Sequence, residues 1–115
     1  MTQTELVEEM LRLSKLLDDA LEFLKRQTIE YARNEDAYRM LKAEAFLKAS
    51  GTVADRNASA DLLTSQQRQA AHLADGMRQA ALEAVRSRRA QLSALQTIVN
   101  GQRAEAEFAR TGAEY

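Results

Sequence analysis

The residues with the clearest potential for chemistry are four arginines in the second half of the chain. Arg86, Arg88 and Arg89 fall within about one turn of a predicted helix, and Arg78 lies two turns earlier. Guanidinium groups make bidentate contacts to phosphate and carboxylate, which an ammonium group does not. These four arginines are therefore predicted contacts for a nucleic acid or for a protein partner.

Charge is distributed unevenly along the chain, although the net charge is only −1. Residues 1–36 carry nine acids and five bases, whereas residues 76–104 carry five arginines and one glutamate. This uneven distribution has two interpretations. In one, the basic segment binds along a nucleic-acid backbone. In the other, it complements the acidic segment within the chain or in a partner subunit.

Catalysis has little support in the residue types. The chain has a single histidine, His72, and no cysteine. One imidazole among scattered carboxylates does not define a metal site, and the phosphate-binding, nucleophile-elbow and dinucleotide-binding motifs are absent from the sequence. We therefore predict a protein that is not an enzyme and has no catalytic residues, cofactor, metal or small-molecule substrate.

The composition predicts an all-α protein. Among its 115 residues are 21 Ala, 15 Leu and no Pro, and Ala and Leu rank highest in helix propensity. This length fits a single helical domain over residues 1–115. Five acids within residues 1–20 argue against a signal peptide, and no run of about 18 apolar residues occurs, so we expect a cytoplasmic protein without membrane contact.

The first predicted helix covers about residues 3–50, where neither Gly nor Pro interrupts the sequence. Alternating steps of four and three from Leu6 to Ala45 give twelve positions, ten of which suit an apolar seam of the coiled-coil type. The two polar exceptions are Gln27 and Asn34. We predict that the seam assembles an oligomer through the following residues: Leu13, Leu17, Leu24, Tyr31 and Tyr38.

A tight turn is predicted at residues 51–52. Gly51 suits the left-handed conformation that ends a helix, and Thr52 with Asp55 has the spacing of a capping box. So short a connection makes the flanking helices antiparallel neighbours.

The second predicted helix covers about residues 53–100, with an apolar row at Ala74, Ala81, Val85, Leu92, Leu95 and Val99. Its continuity is open at Asn57, Gly76 and Gly101, and a restart near Asp61 is an alternative. Beyond Gly101, a short separate helix is predicted over about residues 102–110. The whole is a long antiparallel helical hairpin with a short C-terminal helical segment.

The second row is mostly alanine before Leu92, so the hairpin alone buries little apolar area. We therefore expect a homo-oligomer. A protein partner is also expected, with nucleic acid as an alternative.

Three segments carry a resemblance to known proteins: residues 43–56 (AEAFLKASGTVADR), 87–96 (SRRAQLSALQ) and 103–112 (RAEAEFARTG). Together they resemble small helical proteins of unassigned function that actinobacterial bacteriophages encode. The resemblance implies a phage product acting inside an infected bacterial cell, as an accessory to DNA replication or recombination or on a host protein. It brings no catalytic motif with it.

The function predicted from the sequence is therefore a helical interaction module that works through protein contacts and self-association. One alternative is a nucleic-acid-binding accessory factor that uses the arginines of the second helix. Others are an inhibitor of a host or defence protein and a minor component of the virion.

Overall fold

The computed structural model describes residues 1–113, which form three helices and no strand. Helix α1 spans Gln3–Lys48, α2 spans Val53–Leu63 and α3 spans Ser65–Ala113. The predicted all-α helical hairpin is confirmed. No helix within residues 1–113 has an apolar stretch that could cross a lipid bilayer.

The chain packs as two compact units, and α1 and α3 contribute segments to both. Unit 1 combines Met1–Glu22 with the chain from Glu83 onward, and unit 2 is Phe23–Leu82. In each unit, a segment of α1 packs antiparallel against a segment of the later helices. The residues at this contact form the covered face.

Both α1 and α2 begin with a capping box, and the spacing of Thr52 and Asp55 predicts the one at α2. The Thr2 N–H donates to a carboxylate oxygen of Glu5, and the Glu5 N–H donates to the Thr2 hydroxyl, each over 3.1 Å. Thr52 and Asp55 exchange the same pair of bonds at the start of α2, each over 3.2 Å. Gly51 between the helices has φ +104, the left-handed region that glycine tolerates best.

The covered face of α1 follows the predicted seam over most of its length. Eleven of the twelve predicted positions are buried or half-buried. The exception is Leu41, which is exposed, while the neighbouring Lys42 is half-buried. After Asn34, the covered positions are Tyr38, Lys42 and Ala45. Asn34 and Ala45 are eleven residues apart, so the covered face departs here from the heptad register.

The second helix, predicted over about residues 53–100 with its continuity left open, is interrupted at Thr64, which separates α2 from α3. Asn57 and Asp61, the alternative sites of a break, both lie inside α2. Thr64 has φ −111 and ψ 19, and its hydroxyl donates to the Ala60 carbonyl over 2.6 Å. The Thr64 N–H donates to the same carbonyl over 3.1 Å. A buried threonine bonded back in this way bends or ends a helix.

The prediction of a separate helix over residues 102–110 is wrong, because α3 continues through Gly101 to Ala113. Glycine inside a helix costs about 1 kcal/mol relative to alanine. The residues beyond it are good helix formers, and they offset that cost. Gly76 is likewise helical, and a Cβ atom placed on Gly76 or on Gly101 would meet nothing within 4 Å.

The covered positions of α2 and α3 keep a spacing of four and three across the interruption at Thr64. All six positions predicted for the second row are buried or half-buried. The covered positions in unit 2 are Ala60, Thr64, Gln67, Ala71, Ala74, Arg78 and Ala81. In unit 1 they continue with Val85, Arg88, Leu92, Leu95, Val99 and Gln102.

The two units differ in the side chains that they bury. Unit 1 buries Leu6, Leu13, Val85 and Val99. In unit 2 every buried residue is small: Ala60, Thr64, Ala71, Ala74 and Ala81. Alanine allows two helices to approach closely but removes little apolar area from water. Unit 2 therefore has a thin core without a fully buried large side chain.

The glycines give a stability test of this fold. We expect Gly76→Ala and Gly101→Ala each to raise the free energy of unfolding by about 0.5–1 kcal/mol, because each site is helical and has room for a methyl group. Gly51→Ala should lower it by about 1–2 kcal/mol, because φ is positive there and the new Cβ would lie 2.8 Å from Asp55 Oδ2. Urea denaturation followed by circular dichroism measures all three. Destabilisation by Gly101→Ala would contradict a continuous α3.

Candidate interaction surfaces

The five residues predicted to assemble an oligomer all lie on the covered face of α1. Leu13 is buried and Leu17 half-buried in unit 1. Leu24, Tyr31 and Tyr38 are half-buried in unit 2. This face packs against helices of the same chain, and a contact between copies through it stays a prediction.

Tyr31 forms the centre of a polar cluster with α3. The Arg78 guanidinium lies 5.2 Å from the centre of the Tyr31 ring, a cation–π distance. The same guanidinium donates two hydrogen bonds, of 2.7 and 3.1 Å, to Asp75 Oδ1. The amide of Gln79 donates to the other oxygen of Asp75 over 2.9 Å. The hydrogen bond from Arg78 is the main cause of a lowered pKa of Asp75.

Tyr38 has an equivalent role one heptad further along α1. The Lys42 ammonium lies 5.7 Å from the centre of the Tyr38 ring and pairs with Asp61 of α2 over 3.0 Å. The hydrogen bond to Asp61, followed by that to Tyr38, raises the pKa of Lys42. Near the turn, the Arg56 guanidinium lies 5.9 Å from the centre of the Phe46 ring. Together with Arg26, which lies 6.0 Å from the centre of the Phe23 ring, these contacts place four cations of unit 2 over four aromatic rings of α1.

The four predicted contact arginines are divided between the units and differ in availability. Arg78 in unit 2 is half-buried and bound by Asp75 and Tyr31. In unit 1, exposed Arg86 pairs with Glu83 over 2.7 Å, and half-buried Arg88 donates to Gln91 over 3.1 Å. Arg89 is exposed. Three of the four guanidinium groups thus already bind side chains of their own chain.

One surface was not predicted from the sequence, namely a row of exposed, uncharged residues on α3 and the end of α2. In unit 2 the row consists of Leu63, Gln66, Ala70, Leu73, Met77 and Ala80, which we call the outer stripe. Its members recur every three or four residues and lie about a quarter turn from the covered face. The exposed fractions are 69% for Leu63, 65% for Leu73 and 49% for Met77. The spacing is present in the sequence, but its few large side chains make it a weak signal.

The side of unit 2 that Tyr31 and Tyr38 occupy is polar. It has a shallow groove of about 360 Å³, lined by Tyr31, Glu35, Tyr38, Arg68, Ala71, His72 and Asp75. His72 is exposed at this groove. Residues 1–113 contain no group of three or more histidine and acidic side chains arranged to hold a metal ion.

Comparisons with protein-family profiles, curated proteins and solved structures find no match to this chain.

The Tyr31–Arg78 contact can be tested by a double-mutant cycle. Substituting Tyr31→Leu and Arg78→Ala, singly and together, should reveal a coupling free energy of about 0.5–1 kcal/mol. Tyr31→Phe keeps the ring and should preserve most of this coupling. Urea denaturation gives each free energy of unfolding, and additive single effects would show that the ring and the cation do not interact.

The lowered pKa of Asp75 predicts a pH dependence of stability. A carboxyl group whose pKa is lower in the folded than in the unfolded chain contributes stability that is present above its unfolded value of 3.8 and is lost as the pH falls through the folded pKa. We expect the wild-type protein to be more stable than Asp75→Asn at neutral pH. The difference should shrink below about pH 4. Thermal unfolding across this range measures it, and a difference that stayed constant on acidification would contradict the Arg78–Asp75 contact.

Proposed function

We propose that the protein is a non-enzymatic helical interaction module that self-associates and presents helix faces to a macromolecular partner. The observation that carries this proposal is the mismatch in unit 2 between what is buried and what is exposed. Its buried residues are alanines and one threonine, whereas Leu62, Leu63 and Leu73 are each at least 65% exposed.

The magnitudes support association. Full burial of one Leu or Met side chain contributes about 1.5–3 kcal/mol, so covering two or three of these residues is comparable to the marginal stability of a small domain. Contiguous exposed apolar surface is typical of protein interaction sites. Packing between copies supplies the core that one chain does not build.

The alternative of nucleic-acid binding has weaker support. Phosphate contacts need guanidinium groups that are free to reach the backbone. Arg78 is instead held between Asp75 and Tyr31, and Arg86 and Arg88 bind Glu83 and Gln91. The chemistry of unit 2 therefore favours a protein partner. The resemblance to phage proteins implies an infected bacterial cell, and we propose that the protein meets its partner there.

Gel filtration coupled to light scattering tests self-association directly. We expect a mass that is a multiple of the chain mass of 12.9 kDa, and an unfolding temperature that rises with protein concentration because association stabilises the folded state. A species of 12.9 kDa at every concentration would contradict the proposal. The same measurement with short duplex DNA at low and moderate salt separates the alternative. Co-elution that weakens steeply with salt would favour nucleic-acid binding.

A further inference from the structure

The outer stripe of unit 2 is apolar where a solvent-exposed helix face is normally charged. Charged residues make up 29% of the chain, yet none of the six stripe positions is charged. The opposite groove of the same unit contains Glu35, Arg68 and Asp75. On α3, Arg68 and Asp75 thus lie on the flank opposite the outer stripe.

The stripe leads into a groove that α1 borders. Leu63 lines this groove of about 340 Å³ together with Leu41, Ala45 and Ala49 of α1, and the charged residues Glu44 and Lys48 line it as well. Leu41 is the predicted seam residue that the structure leaves exposed. Two helices therefore border the surface, and a third helix laid along it would contact both.

Four of the six stripe residues have a symmetric order of side-chain sizes. Ala70, Leu73, Met77 and Ala80 are placed evenly about position 75, with the two large side chains inside and the two small ones outside. An antiparallel second copy, related by a two-fold axis at this level, would place Leu73 against Met77 and Ala70 against Ala80 in both directions. A two-fold interface requires such a self-complementary patch.

From these observations we infer that the outer stripe is the surface through which the protein binds a second copy of itself, stripe against stripe and antiparallel. This inference rests on the proposed self-association and specifies the face that carries it. The pair of copies forms a four-helix arrangement in which Leu73 and Met77 supply the large buried side chains that unit 2 lacks.

The test introduces two charges into the stripe of the full-length protein. Leu73→Glu/Met77→Glu should reduce the mass measured by light scattering at least two-fold, towards 12.9 kDa, because like charges would face each other across the two-fold axis. The matched control is Met40→Glu/Leu47→Glu, which places the same two charges on exposed Met and Leu residues of α1 in the same unit. The control should keep the wild-type mass, and circular dichroism confirms that both variants remain helical.

A charge-exchange experiment identifies the occupant of the stripe. Leu73→Lys/Met77→Lys should also lower the mass when alone, and mixing it with the Glu variant should restore association because opposite charges then meet. Restoration supports a second copy bound through the same stripe. Two variants that dissociate singly and do not associate on mixing would overturn the stripe-to-stripe packing.

The remaining outcomes separate this inference from the proposed function. A wild-type protein that assembles, with a stripe variant that assembles equally well, would overturn the stripe as the interface and leave self-association standing. Equal dissociation of the α1 control would also overturn it. A wild-type protein that is monomeric throughout would overturn both.

Discussion

The close alanine contact between the helices of unit 2 is the constraint on which the other features of that unit depend. Ala60, Ala71, Ala74 and Ala81 occupy the positions where coiled coils usually carry Leu, Ile or Val. A methyl group allows the facing helix to come near but has little surface to bury. Larger side chains of unit 2 consequently lie beside the contact instead of within it.

Aromatic residues show how the unit uses these flanking positions. Tyr31, Tyr38 and Phe46 are half-buried, and each has a cation of another residue over its ring at 5.2–5.9 Å. The stems of Arg and Lys cover apolar surface while their charged ends stay in water or meet a carboxylate. Individually such contacts are worth about 0.5–1 kcal/mol, which is modest. The contacts of Arg78 and Arg56 join α1 to the later helices, and Lys42 does so through its ion pair with Asp61. Polar contacts at the edge of the interface therefore determine how the helices of unit 2 pair. A narrow apolar strip supplies the attraction between them.

Much of the fold was predictable because local signals determine it. Gly51 and the capping box of Thr52 and Asp55 place the turn, and the spacing from Leu6 to Tyr38 gives the covered face of α1. The interruption at Thr64 was not predictable from residue type, because Thr28 and Thr97 make the same hydroxyl-to-carbonyl bond inside unbroken helices. The helix end predicted at Gly101 was wrong, because a glycine ends a helix only when the residues after it do not continue the helix.

The candidate surfaces were predicted less well than the helices. Residue type alone makes the arginines candidate contacts for a partner. Only the three-dimensional contacts reveal that Arg78 is bound by Tyr31 and Asp75. The sequence does not reveal the outer stripe, because small and polar residues separate Leu63, Leu73 and Met77. A three-and-four spacing with so few large apolar residues gives a weak sequence pattern.

The interruption at Thr64 has a further consequence for which changes of length the chain tolerates. The interval of four and three persists from Ala60 through Thr64 to Gln67, so α3 begins in phase with α2 even though the helix stops between them. Removing a single residue at this point would rotate every later side chain of the unit by about 100° relative to α2. Arg68 would then turn towards the place that Gln67 now occupies, and Asp75 towards that of Ala74. Natural variation in length should accordingly gather at the connection after Lys48 and avoid the junction of α2 with α3.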